Sequence, residues 1–345
     1  MNLDEQDDFL EEEDVSELYE HYKIIADKGQ SLLRIDKFLV DRVQNATRNR
    51  IQNAIDAGLI KVNDKTIKSN YKIKPFDVVT VSLPTPPRNK EVLPEDIPLS
   101  IVYEDDEFLI VNKPAGMVVH PAYGNWEGTL VNALMFHFQK LPHFKDGEIR
   151  PGLIHRIDKD TSGLLVIGKT ERALNFIAKQ FFDHNIERTY YALVWGEPKE
   201  LKGTVNAPIY RSAKDRKVMD VYPLDSGIGK RAVTHYEVIQ SFKYVSLIRC
   251  NLETGRTHQI RIHMKSIGHP LFHDVAYGGD KILRGNAMGK YKKFVENCFE
   301  MMPRQALHAK SLGFIHPTTL KPVFFESELP EDFQNLLKKW EDYAE

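Results

Sequence analysis

Cysteine is almost absent: Cys250 and Cys298 are the only two in 345 residues, and they form no CxxC pair. That excludes a disulfide framework and a zinc–thiolate site, and it fits a reducing cytoplasm. No apolar run approaches the roughly 20 residues that a membrane span requires. The first residues show no basic stretch leading into an apolar one, so no secretory signal is expected. The chain has no GxGxxG after a strand, no GxxxxGK[ST] and no HExxH. These absences agree with a chemistry that needs no nucleotide, redox or metal cofactor. Internal repeats are missing too. At 42% hydrophobic and 28% charged the composition is that of an ordinary soluble protein, long enough for a large core plus an accessory module.

The formal net charge of −2 averages opposite segments. Residues 1–20 hold ten Asp/Glu and no Lys or Arg, and they predict a solvated acidic leader, disordered or helical. Residues 21–90 hold fourteen Lys/Arg against six Asp/Glu, whereas residues 91–345 balance at 33 of each. A basic block of that kind is the electrostatic footprint of a module that neutralises phosphates.

Within residues 30–83, Leu33, Ile35, Phe38 and Leu39 fall at helical spacing. A second amphipathic stretch from Arg48 to Ile55 ends at Gly58. Leu59 to Asp64 predicts a strand entering an Asn-Asp turn, and Val78 to Leu83 another strand. This α/β pattern, two helices bearing Arg and then a small hairpin, resembles the S4 RNA-binding module. Arg34, Lys37, Arg48, Arg50 and Lys72 are its candidate phosphate contacts. Residues 84–99, with Pro84, Pro86, Pro87, Pro94 and Pro98, predict an extended linker.

Residues 100–345 predict an α+β domain: a mixed, mainly antiparallel sheet with flanking helices and no regular βαβ alternation. Two strands flank the acidic turn at 104–107. Helices are expected over Thr129–Phe138 and Arg172–Phe182, and one is expected to begin within His258–Met264. Strands are expected over Leu164–Ile167, Tyr191–Val194, Thr234–Ile239 and Ser246–Leu252.

His155-Arg-Ile-Asp-Lys-Asp-Thr-Ser-Gly163 places Arg156 two residues before Asp158, ahead of a Thr-Ser-Gly turn and an apolar strand. Two readings fit it: a salt-bridged turn at a strand entry, or a carboxylate held ionised at a sheet edge to act as a nucleophile. Together with Arg188-Thr-Tyr-Tyr-Ala192 and Leu252-Glu-Thr-Gly-Arg-Thr-His-Gln-Ile-Arg-Ile-His263, the segment resembles the motifs of the RluA family of RNA pseudouridine synthases. The motifs fall in the family's order, and the similarity runs from about Leu32 to Pro330.

The resemblance implies an enzyme that isomerises uridine in structured RNA. It breaks the C1′–N1 bond, turns the uracil and rejoins it through C5. Asp158 is then the nucleophile and Arg261 its ion-pair partner, with Arg256 the weaker choice. Tyr190 supplies a stacking face and a hydroxyl for the C5 proton, while Tyr191 points to the other face of its strand. The residues leave open attack at C1′, attack at C6, or assistance to elimination. A target uridine must leave its stack, and Arg156 is the candidate to fill the gap. His155 is expected as a hydrogen-bonded scaffold, and Thr161 and Ser162 as turn-shaping residues.

The S4-like module favours large-subunit (23S) ribosomal RNA as partner, with tRNA open, and the resemblance implies a monomer. The family usually carries Gly where this chain has His273, followed by Asp as in Asp274. The departure raises the expectation of a histidine near the pocket rim. Two competing readings remain: an RNA-binding assembly factor without catalysis, and a metal-dependent hydrolase built on His269, His273 and Asp274.

Overall fold

A computed structural model of the chain describes residues 19–40, 42–43, 47–83, 92–121, 125–138, 152–212, 215 and 218–344. Residues 1–18 of the expected leader and 84–91 of the expected linker lie outside the described residues. The chain divides after Lys90 into two compact units.

In the first unit the order is β1 (Tyr19–Ile25), β2 (Leu33–Arg34), α1 (Ile35–Val40), α2 (Arg48–Asp56), β3 (Ile60–Val62), β4 (Lys65–Thr66), β5 (Lys72–Ile73) and β6 (Val78–Leu83). Tyr19 and Glu20, expected as the end of the leader, open β1, which pairs antiparallel with β6. Strand β6 pairs in turn with β3, and β2 with β5. Asn63 and Asp64, both at positive φ, make the tight turn from β3 to β4, a conformation that Asn and Asp tolerate. Thr47 caps α2 by accepting the Arg50 N–H, and Gly58 at φ +72° ends it. Ile35, Phe38, Leu39, Ile51, Ile55, Ile73 and Val79 form the core.

Asp36, in the first turn of α1, is fully buried. It accepts hydrogen bonds from Arg34 Nε and Nη2 at 3.2 and 3.0 Å, from Arg48 Nε at 3.0 Å and from Gln52 Nε2 at 2.9 Å. It thus ties β2, α1 and α2 together.

The second unit continues with β7 (Ile101–Glu104), β8 (Phe108–Lys113), α3 (Leu130–His137), β9 (Ser162–Gly168), α4 (Glu171–Phe182) and β10 (Glu187–Trp195). Next come β11 (Lys202–Asn206), β12 (Ile209–Arg211), β13 (Met219–Val221), β14 (Val233–Ser241), β15 (Val245–Leu252) and α5 (Gln259–Ser266). The last elements are α6 (Gly289–Met301), β16 (Leu307–Ile315), β17 (Pro322–Glu326) and α7 (Glu331–Ala344).

A nine-stranded sheet runs β11-β14-β15-β10-β16-β9-β8-β7, with β17 paired to the far end of β16. Within it β16 and β9 are parallel and the other pairs antiparallel, so the domain is α+β with a mixed, mainly antiparallel sheet. The short strand expected at Tyr191–Val194 is the nine-residue β10, which lies between β15 and β16.

Alternation along β10 divides the core. Tyr190, Ala192 and Val194 face one layer with residues of α3 and α5, whereas Leu193 and Trp195 face another with α6 and α7. Gly163 is dictated by close approach: at φ +116°, a Cβ there would lie 2.2 Å from the Ala309 carbonyl oxygen of β16. Ser162, expected in a turn, is instead the first residue of β9, and with Gly163 it pairs with His308 and Ala309 of β16, which seats the end of the preceding loop against the sheet.

The pKa of Asp36 predicts a pH effect. Burial works against its charge, but the bonds from Gln52, Arg34 and Arg48 prevail and lower its pKa from 3.8 to about 2. The carboxylate therefore stabilises this unit fully above about pH 4, and the contribution fades as pH falls through about 2. Discounted for its half-exposed partners, it is worth about 1–2 kcal/mol. Urea melts of full-length protein followed by NMR at pH 6 and near pH 2.5 should show the wild-type N-terminal unit losing about two thirds of that amount more than Asp36→Asn does, because pH 2.5 still lies above the folded-state value of about 2. Equal losses would contradict it.

Candidate active site

The loop before β9 carries Asp158 and is held from several directions. Lys113, at the end of β8, is buried, and its ammonium donates to the carbonyls of Pro114, Met117 and Lys159 at 2.7, 2.8 and 2.9 Å. Burial pushes this lysine down to about 7. The Thr161 N–H donates to the Asp158 carbonyl, and Arg304 Nη1 to that of Asp160. With the backbone pinned on either side, the Asp158 carboxyl projects into a cavity of about 580 Å³, and 22% of its side chain stays exposed.

Arg261 of α5 reaches that carboxyl, with Nη1 2.9 Å from Asp158 Oδ2. Its other edge is fixed by Asp274, which accepts Nε at 2.7 Å and Nη2 at 2.8 Å and is itself fully buried. A guanidinium forked onto one carboxylate has a single orientation, so its Nη1 is aimed at Asp158 before any ligand arrives. Tyr277 lies against it, with the ring centroid 5.0 Å from the Arg261 Cζ. His258, in left-handed conformation at the N-cap of α5, places Nε2 3.9 Å from Asp158 Oδ2 and Nδ1 2.8 Å from the Tyr277 hydroxyl.

Burial by itself would raise the Asp158 pKa. The positive charges of His258, Arg261 and Arg156 more than reverse this, so it is lowered. Burial also pushes His258 down, so the permanent charges acting on Asp158 are those of Arg261 and Arg156.

Tyr190 lines the same cavity and is 8% exposed. Burial is the main cause that raises its pKa, so the phenol is neutral at physiological pH. His155 accepts the Val166 N–H at Nε2 and stacks on Phe181, with ring centroids 4.5 Å apart. Burial, reinforced by Arg188, drives it down to about 3, and it stands as a neutral scaffold. Arg156 and Arg256 are exposed residues of the cavity wall, and Arg256 donates from Nε to the Arg231 carbonyl. The cavity therefore brings together Asp158, Tyr190, Arg261, His155, Arg156 and Arg256.

In the N-terminal unit, Arg34 and Lys72 are cross-strand partners on β2 and β5. Arg34 and Arg48 share Asp36 while keeping 41% and 51% of their side chains exposed. Lys37 and Lys72 are exposed, and Arg50 is half-buried.

The histidine expected near the rim is not there. His273 adopts φ +56°, the left-handed conformation that a glycine takes freely. Its ring stacks on Phe299 at 4.4 Å, with Nδ1 2.6 Å from the Met302 carbonyl oxygen. The hydrolase reading fails with it, because His269 bonds the Trp195 carbonyl and Asp274 is taken by Arg261. Among the described residues no group of three or more His, Cys, Asp or Glu side chains could hold a metal. The sequence reading missed His258 and Tyr277 as parts of the site. The one signal for His258 was its place in the third motif, and Tyr277 gave none.

The family profile for RNA pseudouridylate synthase matches residues 107–266, and that for the S4 domain matches residues 33–79. A Zymomonas mobilis protein named ribosomal large subunit pseudouridine synthase D is 47% identical over 308 residues, 88% of this chain and 93% of its own. One from Chlorobaculum parvum, named an uncharacterized RNA pseudouridine synthase, is 46% identical over 90% of this chain and 95% of its own. The solved structure of human RNA pseudouridylate synthase domain containing 1 overlays with a TM-score of 0.51 at 25% identity, covering 68% of this chain and 85% of that one. With similarity of this degree along most of its length, the chain belongs to the RNA pseudouridine synthases, isomerases of uridine in RNA, and carries an S4 domain ahead of its catalytic part.

Proposed function

We propose that this enzyme converts specific uridines of large-subunit (23S) ribosomal RNA to pseudouridine, with Asp158 as nucleophile, Arg261 as its ion-pair partner and Tyr190 as the platform for the uracil. The observation that carries the reading is the Asp158–Arg261 contact of 2.9 Å in a cavity shared with Tyr190. The ribosomal target is supported by the name of the Zymomonas mobilis relative, and RNA docking by the basic S4 domain.

The isomerisation breaks C1′–N1 and forms C1′–C5. The proton lost from C5 balances the one gained at N1, so no water or co-reactant is consumed. Attack at C1′, attack at C6 and assisted elimination all need an ionised carboxylate beside the nucleotide, and Arg261 keeps Asp158 in that form. The uracil must stay within the cavity while it turns, and the neutral ring of Tyr190 offers it a face to lie on. Arg156, exposed at the mouth, fits a residue that occupies the gap left by the flipped uridine, and Arg256 fits a contact to the RNA backbone. We infer a cytoplasmic monomer, in keeping with two free, buried cysteines, of which Cys250 is pushed up to about 12 by burial.

Pseudouridine mapping of ribosomal RNA from cells with and without the protein should show sites that vanish in its absence. Unchanged maps would remove the ribosomal target. Asp158→Asn should cut single-turnover isomerisation by at least about 10³-fold while RNA affinity survives; turnover near wild type would remove Asp158 from its role. Asp274→Asn, which releases the far edge of Arg261, should lower turnover by about 10²-fold at unchanged RNA affinity. A loss under threefold would show that the fork does not position Arg261. Deleting residues 1–90 should weaken RNA affinity and flatten its salt dependence, leaving the catalytic unit folded; an unchanged salt slope would mean that the basic module does not dock the RNA.

A further inference from the structure

Arg188 stands on β10 two residues before Tyr190, so both side chains leave the same face of the strand, and both line the cavity of Asp158. It is only 8% exposed. Two other arginines, Arg261 and Arg304, are buried to 7% and 8% exposure, and each is forked onto a carboxylate, Asp274 and Asp332 respectively. Arg188 has no such counter-ion: among the described residues no carboxylate lies within ion-pair distance of it. Its Nε has no hydrogen-bond partner, and Nη2 reaches only the Leu252 carbonyl at a long 3.4 Å. The guanidinium carbon sits 5.3 Å from the centroid of the Phe181 ring. Gly255 leaves room for it, since a Cβ there would come within 2.8 Å of Nη1.

A buried cation without an anion is destabilising, and its burial lowers the Arg188 pKa. Folding alone gives no reason to keep such a charge in a cavity wall. An anion entering the cavity would remove the cost and satisfy the free N–H. The uracil carbonyls are neutral and would leave the charge uncompensated. A backbone phosphate carries a full charge and matches the guanidinium fork.

We propose that Arg188 is a substrate-binding residue whose guanidinium takes a phosphate oxygen of the RNA backbone beside the target uridine while the uracil lies against Tyr190. This rests on the function proposed above, and it adds a residue that anchors the flipped nucleotide inside the cavity. Arg188 would hold the backbone at the depth where the sugar carbon meets Asp158, so it contributes both to affinity and to the rate of the bound complex.

The test compares full-length wild type, Arg188→Met and Arg188→Lys on a large-subunit ribosomal RNA transcript, over a KCl series. Methionine should lower the slope of log affinity against log salt by about 0.7–0.9, the share of one phosphate. It should also reduce single-turnover isomerisation at least tenfold, while the melting temperature stays level or rises because an unpaired charge has gone. Lysine should restore the slope. An unchanged slope overturns the proposal even if turnover is lost, since the contact would then be to a neutral edge of the base. A melting temperature lowered together with affinity and rate overturns it as well, because Arg188 would then be structural. The slope is read from binding alone, so it judges Arg188 separately from the proposed target, which fails if the wild-type enzyme forms no pseudouridine in this transcript.

Discussion

Arg261 sits between two carboxylates that would otherwise repel each other. Asp274 takes two of its N–H groups from deep in the protein, and Asp158 takes a third at the cavity surface. The inner pair sets the direction of the guanidinium, and the outer contact uses that direction. A lone arginine on α5 would have several rotamers, whereas one forked onto a buried aspartate has a single arrangement. The Asp158 carboxylate is thereby kept both charged and pointed, while a second acid is buried.

The sheet exists in a form that makes this contact. Loop 152–161 has to meet α5, although about a hundred residues separate Asp158 from Arg261 in sequence. Strand β16, next to β10 on one edge and to β9 on the other, supplies the connection. Gly163 lets β9 approach β16 without a side chain between them, and Lys113 ties the loop backbone back to β8. Burial of the lysine ammonium is tolerated because three carbonyls receive it. Neither Gly163 nor Lys113 lines the cavity, yet they decide where the Asp158 oxygens lie.

What could be read from the sequence were groups whose neighbours lie close in the chain. The periodicity of Leu174, Ile177, Ala178 and Phe181 marked α4 because helix spacing is local. The Asn63-Asp64 turn and the strand at Val78 were legible for the same reason. Asp158, Tyr190 and Arg261 were legible through motifs, and only coordinates show that they meet. Asp274 was noted only as the acid the family carries after position 273 and within a competing metal reading, because its bond to Arg261 depends on how the loop after α5 folds back. Asp36 was passed over as one acid within a basic block, although Arg34 and Arg48 both converge on it. Residues 289–344 offered no motif, and the sequence reading assigned them no element, yet they supply β16 between β10 and β9 and α6 and α7 against Trp195.

The central claim is that Asp158 is a carboxylate kept ionised by Arg261 while still open to a nucleotide. The most direct test is an NMR titration of the Asp158 carboxyl carbon in the intact, RNA-free enzyme, repeated with Arg261→Met. The account predicts a midpoint below the ordinary 3.8 in wild type, because the charged groups around it outweigh burial, and a marked rise when the guanidinium is removed. A wild-type midpoint above 3.8, or one that Arg261→Met leaves unmoved, would contradict it.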